Sequence, residues 1–194
     1  MRKARIERKT SETDIKLSLD LDGTGKRSVD TGIGFFDHML ELFAKHGLFD
    51  IDITVKGDTR VDEHHTVEDT GIALGEAFLT AAGDKSGICR YASQFVPMDE
   101  ALCFACADIS GRPFLRYEVF CPDESVGGLN PRIFEEFFRA FSSSAKITLH
   151  IESLEGANTH HIIESVFKAA ARALRFALEK DDRAQGVPST KGVL

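Results

Sequence analysis

The chain has 194 residues, a formal net charge of −7, 42% hydrophobic residues and 28% charged ones. That is enough for one domain, or for two small halves sharing a core. The acidic balance argues against nucleic acid as a partner, no apolar run approaches membrane-spanning length, and Met1-Arg2-Lys3-Ala4-Arg5 has no apolar stretch behind it to make a secretory signal.

In chain order, Arg5 to Thr10 reads as a weak strand. Ile15, Leu17, Leu19 and Leu21 alternate with polar residues as a half-buried strand that Asp22-Gly23-Thr24-Gly25 turns, and Arg27 to Asp30 is a short strand after it. Phe35, Phe36, Met39, Leu40, Leu42 and Phe43 follow helical spacing, which Gly47 is expected to close as a C′ residue. Phe49, Ile51, Ile53 and Val55 return to period two, and a helix through Ile72, Leu74, Phe78 and Leu79 stops at Gly83. The order then repeats: strands at Arg90–Phe95, Ala101–Ile109 and Phe114–Phe120, a loop from Pro122 to Pro131, and a helix carrying Ile133, Phe134, Phe137, Phe138 and Phe141. A strand at Lys146–Ile151 and a helix through Val166, Phe167, Ala170, Leu174 and Leu178 complete it. Cys103 and Cys106 lie three apart in a strand and face opposite ways. With Cys89 and Cys121 they form no framework, so each is expected to be a buried, reduced thiol in a cytoplasmic protein.

Two segments stand out. Asp62-Glu63-His64-His65-Thr66-Val67-Glu68-Asp69 and Thr159-His160-His161-Ile162-Ile163-Glu164 each give His-His-x-x-Glu at the start of a helical run. They use four of the seven histidines. Side chains three and four apart share a helix face, so Glu68 is within reach of His64 and His65, and Glu164 of His160 and His161. Two adjacent histidines diverge by about 100° and cannot comfortably hold one ion together. One such pair is most often a solvated helix start. Two of them suggest two neighbouring metals, each taking one histidine from each doublet.

The halves align. Ile51-Asp52-Ile53-Thr54-Val55 begins fourteen residues ahead of His65, as Ile147-Thr148-Leu149-His150-Ile151 does ahead of His161. Phe36-Asp37-His38-Met39-Leu40 parallels Phe134-Glu135-Glu136-Phe137-Phe138 after a two-residue slip, pairing His38 with Glu136. This is an internal duplication. It predicts an α+β fold of two similar halves, about 1–88 and 89–180. Each is a small four-stranded sheet with two helices on one face, packed as one unit with a tail over 181–194. The metal ligands are then His38, His64, His65, Glu68, Glu136, His160, His161 and Glu164. All are imidazole or carboxylate, which suits Mn²⁺, Fe²⁺, Ni²⁺ or Zn²⁺. His150 is not nominated, and His46 reads as a cation near a helix C-terminus. Arg90, Arg112, Lys168, Ser189 and Lys191 are candidates for gripping an anion, each also readable as a surface residue. Glu12 is either a solvated turn residue or a proton-transfer carboxylate.

Together with Met98-Asp99-Glu100-Ala101, Gly111-Arg112-Pro113 and Ser189-Thr190-Lys191-Gly192-Val193-Leu194, these motifs resemble the imidazoleglycerol-phosphate dehydratase family across the whole chain, in its monofunctional form. The resemblance implies a ribosomal protein S5 domain 2-like fold, two Mn²⁺ per active site, and sites between subunits of a 24-subunit homo-oligomer. It implies dehydration of a phosphorylated imidazole, imidazole glycerol phosphate, through a metal-bound imidazolate and a diazafulvene-like intermediate. It makes Glu12 the acid/base, with Glu68 and Glu164 also at the catalytic centre, and makes Glu12, His38, Arg90, Arg112, Lys168, Ser189 and Lys191 contact the substrate. Many members have His where Glu136 stands, which leaves Glu135 as an alternative donor, and some have Gln where Leu42 stands. The rivals are a binuclear metallohydrolase and a ferritin-like metal store. The strand alternation speaks against the latter, which needs four long helices.

Overall fold

The computed structural model describes residues 2–192 and 194; Met1 and Val193, the latter within the tail motif, lie outside the described residues. The first half is β1 (Lys3–Lys9), β2 (Thr13–Asp20), β3 (Arg27–Asp30), α1 (Gly34–Gly47), β4 (Asp50–Gly57) and α2 (His64–Ala82). The second is β5 (Tyr91–Met98), β6 (Ala101–Asp108), β7 (Phe114–Glu118), α3 (Ile133–Ala145), β8 (Thr148–Glu155) and α4 (Thr159–Leu178). The two sheets have the same topology, β1-β2-β4-β3 and β5-β6-β8-β7, with only the last pair of each parallel. Period-two patterning predicts strands with one buried face, and Ile15, Leu17 and Leu19 of β2 and Ile51, Ile53 and Val55 of β4 bury the same one.

The helices pair across the halves, α1 with α4 and α2 with α3, so all four lie between the sheets. Gly71 and Gly75 permit the second pairing. A Cβ on Gly71 would lie 2.6 Å from the Phe137 carbonyl oxygen, and one on Gly75 equally close to that of Phe141. The register advances in the same direction on both helices, so they run parallel and their N-termini share one end. Phenylalanines fill the seam: Phe78 meets Phe141 edge-on at 5.1 Å and Phe137 stacks on Phe167 at 5.4 Å. Burying each such ring contributes about 2–3 kcal/mol.

Three expectations need correction. The left-handed residue ending α1 is Leu48 (φ 55°), while Gly47 stays inside the helix. The Phe49 ring explains why: it would lie 2.3 Å from a Cβ on Gly47. Glycine is needed there for space, not for handedness. Cys89 is exposed, outside any strand, whereas Cys103 is buried and its thiol is pushed up to about 11 by burial. Nor is His46 held as a cation. Burial comes first, followed by the charges of Lys168 and Arg172, and together they press its imidazole towards the neutral form.

Candidate functional site

Each doublet opens its helix. Asn158 caps α4, its side chain accepting from the backbone N–H groups of His160 (2.9 Å) and His161 (3.4 Å). Asp62 accepts from the His64 N–H at 2.8 Å. Such bonds satisfy N–H groups that the first turn leaves unpaired, and they fix the direction in which the next side chains leave. Within each doublet the rings are 6.2 Å apart and nearly perpendicular.

The i,i+4 pairings form and the i,i+3 pairings do not. His160 Nε2 lies 3.3 Å from Glu164 Oε2, and His64 Nε2 lies 3.6 Å from Glu68 Oε2. The second histidine of each doublet turns to other carboxylates. His65 Nδ1 meets Asp58 at 3.1 Å, and its Nε2 stands 3.7 Å from Glu12 Oε1. His161 Nδ1 meets Glu100 at 2.7 Å, and its Nε2 stands 3.9 Å from Asp99. The hydrogen bond that His65 donates to Asp58, assisted by the charge of Glu12, raises the His65 pKa. Glu100, hydrogen-bonded first to His161 and then to the N–H groups of Asn158 and Ala157, is held down at about 2.

α1 brings His38 to the α4 doublet. His38 Nε2 is 3.5 Å from Glu164 Oε2, and the ligand atoms of His38, His160 and Glu164 all lie within 4.8 Å of one another. Two neighbouring ligands about 2.1 Å from one ion are separated by about 3 Å, so this trio needs little adjustment to take a cation. Its donors, two imidazoles and one largely buried carboxylate without sulfur, suit a borderline or hard divalent ion. Glu164 is also gripped by Lys168, whose Nζ lies 2.5 Å from Oε1. Burial tends to raise the Glu164 pKa, but Lys168 and His38 outweigh it and the net shift is downward. Phe35 stands edge-on to His160 at 5.1 Å and closes one side.

The corresponding trio on α2 and α3 is looser. The parallel register puts Glu136 at the same end as His64 and Glu68, but its carboxylate rests 3.6 Å from Arg139, and Glu135 pairs with the same arginine. Among the described residues, only the His38 trio gathers three ligand atoms this closely, and neither doublet shares such a group with the other.

The basic residues divide. Lys168 belongs to Glu164. Arg90 and Arg112 flank Asp108, at 2.9 and 4.0 Å. Arg90 also donates to the Pro188 carbonyl at 2.8 Å, which brings the segment bearing Ser189 and Lys191 beside it. The tail end returns too, Leu194 lying against Gly111. Leu42 packs partly buried against the core.

Sequence reading misses Asp58, Glu100 and Asp108, which lie in turns or at a strand end. It also misses a network around Asp69. This buried carboxylate accepts from Arg8 of β1 at 2.8 Å and from Thr13 of β2, tying the hairpin that carries Glu12 to α2.

Comparison with known proteins gives one consistent result. The family model described as imidazoleglycerol-phosphate dehydratase matches residues 31–174. The protein of that name from Gluconacetobacter diazotrophicus is 60% identical over all of this chain and 98% of its own length. The one from Acetivibrio thermocellus is 57% identical over all of this chain and 99% of its own. The crystal structure of imidazoleglycerol-phosphate dehydratase from Staphylococcus aureus superposes with a TM-score of 0.84 at 38% identity, covering 92% of this chain and 99% of that one. The enzyme from Pyrococcus furiosus, solved as a complex, gives the same TM-score at 36% identity, covering 97% and 100%.

Proposed function

This chain belongs to the imidazoleglycerol-phosphate dehydratase family, hydro-lyases of histidine biosynthesis, and from that premise we propose that it converts D-erythro-imidazole glycerol phosphate to imidazole acetol phosphate at a pair of divalent metal ions, Mn²⁺ by preference. The observation that carries the metal reading is the convergence of His38, His160 and Glu164. Those three would hold one ion, and His64, Glu68 and Glu136 the other. His65 and His161 diverge from their own trios, which supports their reaching ions held by neighbouring copies. That arrangement fits a homo-oligomer, a 24-mer in this reading, with sites shared between subunits. We divide the chain into repeats over about 1–88 and 89–180, with 181–194 as a functional tail, and assign it to the cytoplasm. Among the described residues no helix is long and apolar enough to cross a membrane.

The reaction must remove a carbon-bound proton that no neighbouring carbonyl acidifies. Ions bound at these trios would supply positive charge against the ring nitrogens, favouring the deprotonated ring, whose electrons are what expel the hydroxyl. Glu12, whose Oε1 lies 3.7 Å from His65 Nε2, would take the proton from the carbon next to the phosphate-bearing one and return it during tautomerisation. Arg90, Arg112, Ser189 and Lys191 would grip the phosphate, which would compete with Asp108 for the two arginines. Lys168 would act near the substrate through its hold on Glu164.

The test is product analysis. With the phosphorylated imidazole and Mn²⁺, a ketone should form with organic phosphate conserved. Release of inorganic phosphate instead would overturn the reading in favour of a binuclear hydrolase. His160→Ala should abolish ketone formation and lower the bound Mn²⁺.

A further inference from the structure

The two β-hairpin turns next to the doublets correspond under the internal duplication, since β1-β2 and β5-β6 occupy the same places in their sheets. Each turn presents a carboxylate to the second histidine of its doublet. Glu12, in the first, faces His65 at Nε2; Glu100, in the second, faces His161 at Nδ1, 2.7 Å away. Glu100 also does something Glu12 does not. Its Oε1 accepts from the backbone N–H groups of Ala157 (3.1 Å) and Asn158 (2.8 Å), and Asn158 is the residue that caps α4. One carboxylate therefore fixes the ring of His161 with one oxygen and the start of its helix with the other.

We infer that Glu100 is the positioning residue of His161, fixing the proton on Nδ1 so that Nε2 is left bare to ligate a metal ion. A carboxylate can only accept, so a neutral imidazole beside it must donate from Nδ1, and its remaining lone pair is then on Nε2. On this account the two copies of one turn have diverged: Glu12 faces the nitrogen that points at the reaction, and Glu100 holds the nitrogen that points away. The inference rests on His161 being a metal ligand, as proposed above.

Glu100→Gln separates positioning from a merely structural role. Its amide oxygen can still accept from Ala157 and Asn158, while its NH₂ group turns to His161 as a donor. That demands a bare Nδ1 and moves the proton to Nε2, where it blocks ligation. In EDTA the variant should melt with the wild type. Its Mn²⁺ affinity, read by the EPR signal of free Mn²⁺ in titrations without substrate, should fall by about 10- to 100-fold at one class of site. Glu100→Asp keeps an acceptor and should bind more tightly than Glu100→Gln, which covers the case of the Gln variant being unstable. Wild-type affinity in Glu100→Gln, or Glu100→Asp binding no better than Glu100→Gln, would overturn the inference. His161→Ala distinguishes the layers. If it binds Mn²⁺ like the wild type, the ligand reading of His161 fails and takes this inference with it. If it loses Mn²⁺ while Glu100→Gln does not, only the role of Glu100 falls.

Discussion

Lys168 holds Glu164 across one turn of α4, Nζ to Oε1 at 2.5 Å, with both side chains mostly buried. This leaves Oε2 facing His38 and His160. Lys168→Met would strand the mostly buried carboxylate without its close cationic partner. We expect a loss of about 1–3 kcal/mol in EDTA, since a partly buried charge loses its partner. Saturating Mn²⁺ should remove most of that loss, because the ion then balances the charge. Thermal melts with and without Mn²⁺ check this, and an equal loss in both would argue that Glu164 binds no ion.

Asp69 ties the hairpin bearing Glu12 to the helix bearing His64 and Glu68, through Arg8 and Thr13. Its side chain is 9% exposed. Asp69→Ala should cost about 2–3 kcal/mol by leaving Arg8 poorly compensated. It should also lower turnover more than Mn²⁺ affinity, because Glu12 loses its anchor while the metal ligands keep theirs. Denaturant melts, kcat and a metal titration read the three effects separately.

Gly71→Ala puts a methyl group 2.6 Å from the Phe137 carbonyl oxygen, a position the parallel helix pair cannot vacate without shifting. Overpacking of this kind costs about 1–3 kcal/mol, against about 1 kcal/mol gained from alanine's better helix propensity. A net loss should appear in denaturant unfolding. A stabilised variant would mean that the seam is looser than the contact implies.

The donor at the second trio is decided by comparing two neighbours that share Arg139. Glu136→Ala should lower the Mn²⁺ bound per chain and Glu135→Ala should not, while Glu136→His should restore it. Metal analysis of the purified variants reads this directly. The opposite pattern would move the ligand to Glu135.

Asp50 shows how acid would loosen the first sheet. Its Oδ1 accepts from the N–H groups of Thr24 (2.7 Å) and Lys26 (2.9 Å), and these bonds, led by that from Thr24, lower its pKa despite some burial. A carboxylate depressed on folding adds stability that is fully present above the unfolded value of about 3.9 and is lost as pH falls through the lower folded value. Asp50→Asn should therefore be less stable than the wild type at neutral pH and converge with it on acidification. A gap that persists in strong acid would mean that the charge contributes nothing.

What could be read from sequence follows from the range of the forces involved. Alternation at Ile15–Leu21 and Phe49–Val55, helical spacing in the phenylalanine runs, and the i,i+4 reach from His160 to Glu164 are local, and all appear in the structure. The match of His38 to Glu136 came from duplication alone, and it found the α1 residue that closes on Glu164. What failed to show depends on contacts distant in sequence. Glu100 and His161 are separated by 61 residues, and nothing in either segment signals the other. His46 reads as an ordinary helix-end cation because its burial, and the charges of Lys168 and Arg172, arise only once α1 lies on α4. Glycine at position 47 serves either of two ends, handedness or space, and only the Phe49 ring tells which.

The crosswise pairing of helices bears on what either half could do by itself. The aromatic rings of each sheet's helices pack against a helix from the opposite sheet, as Phe43 and Phe78 do on Phe141. A fragment carrying one sheet and its two helices would bare those rings to water and should clump with its own kind.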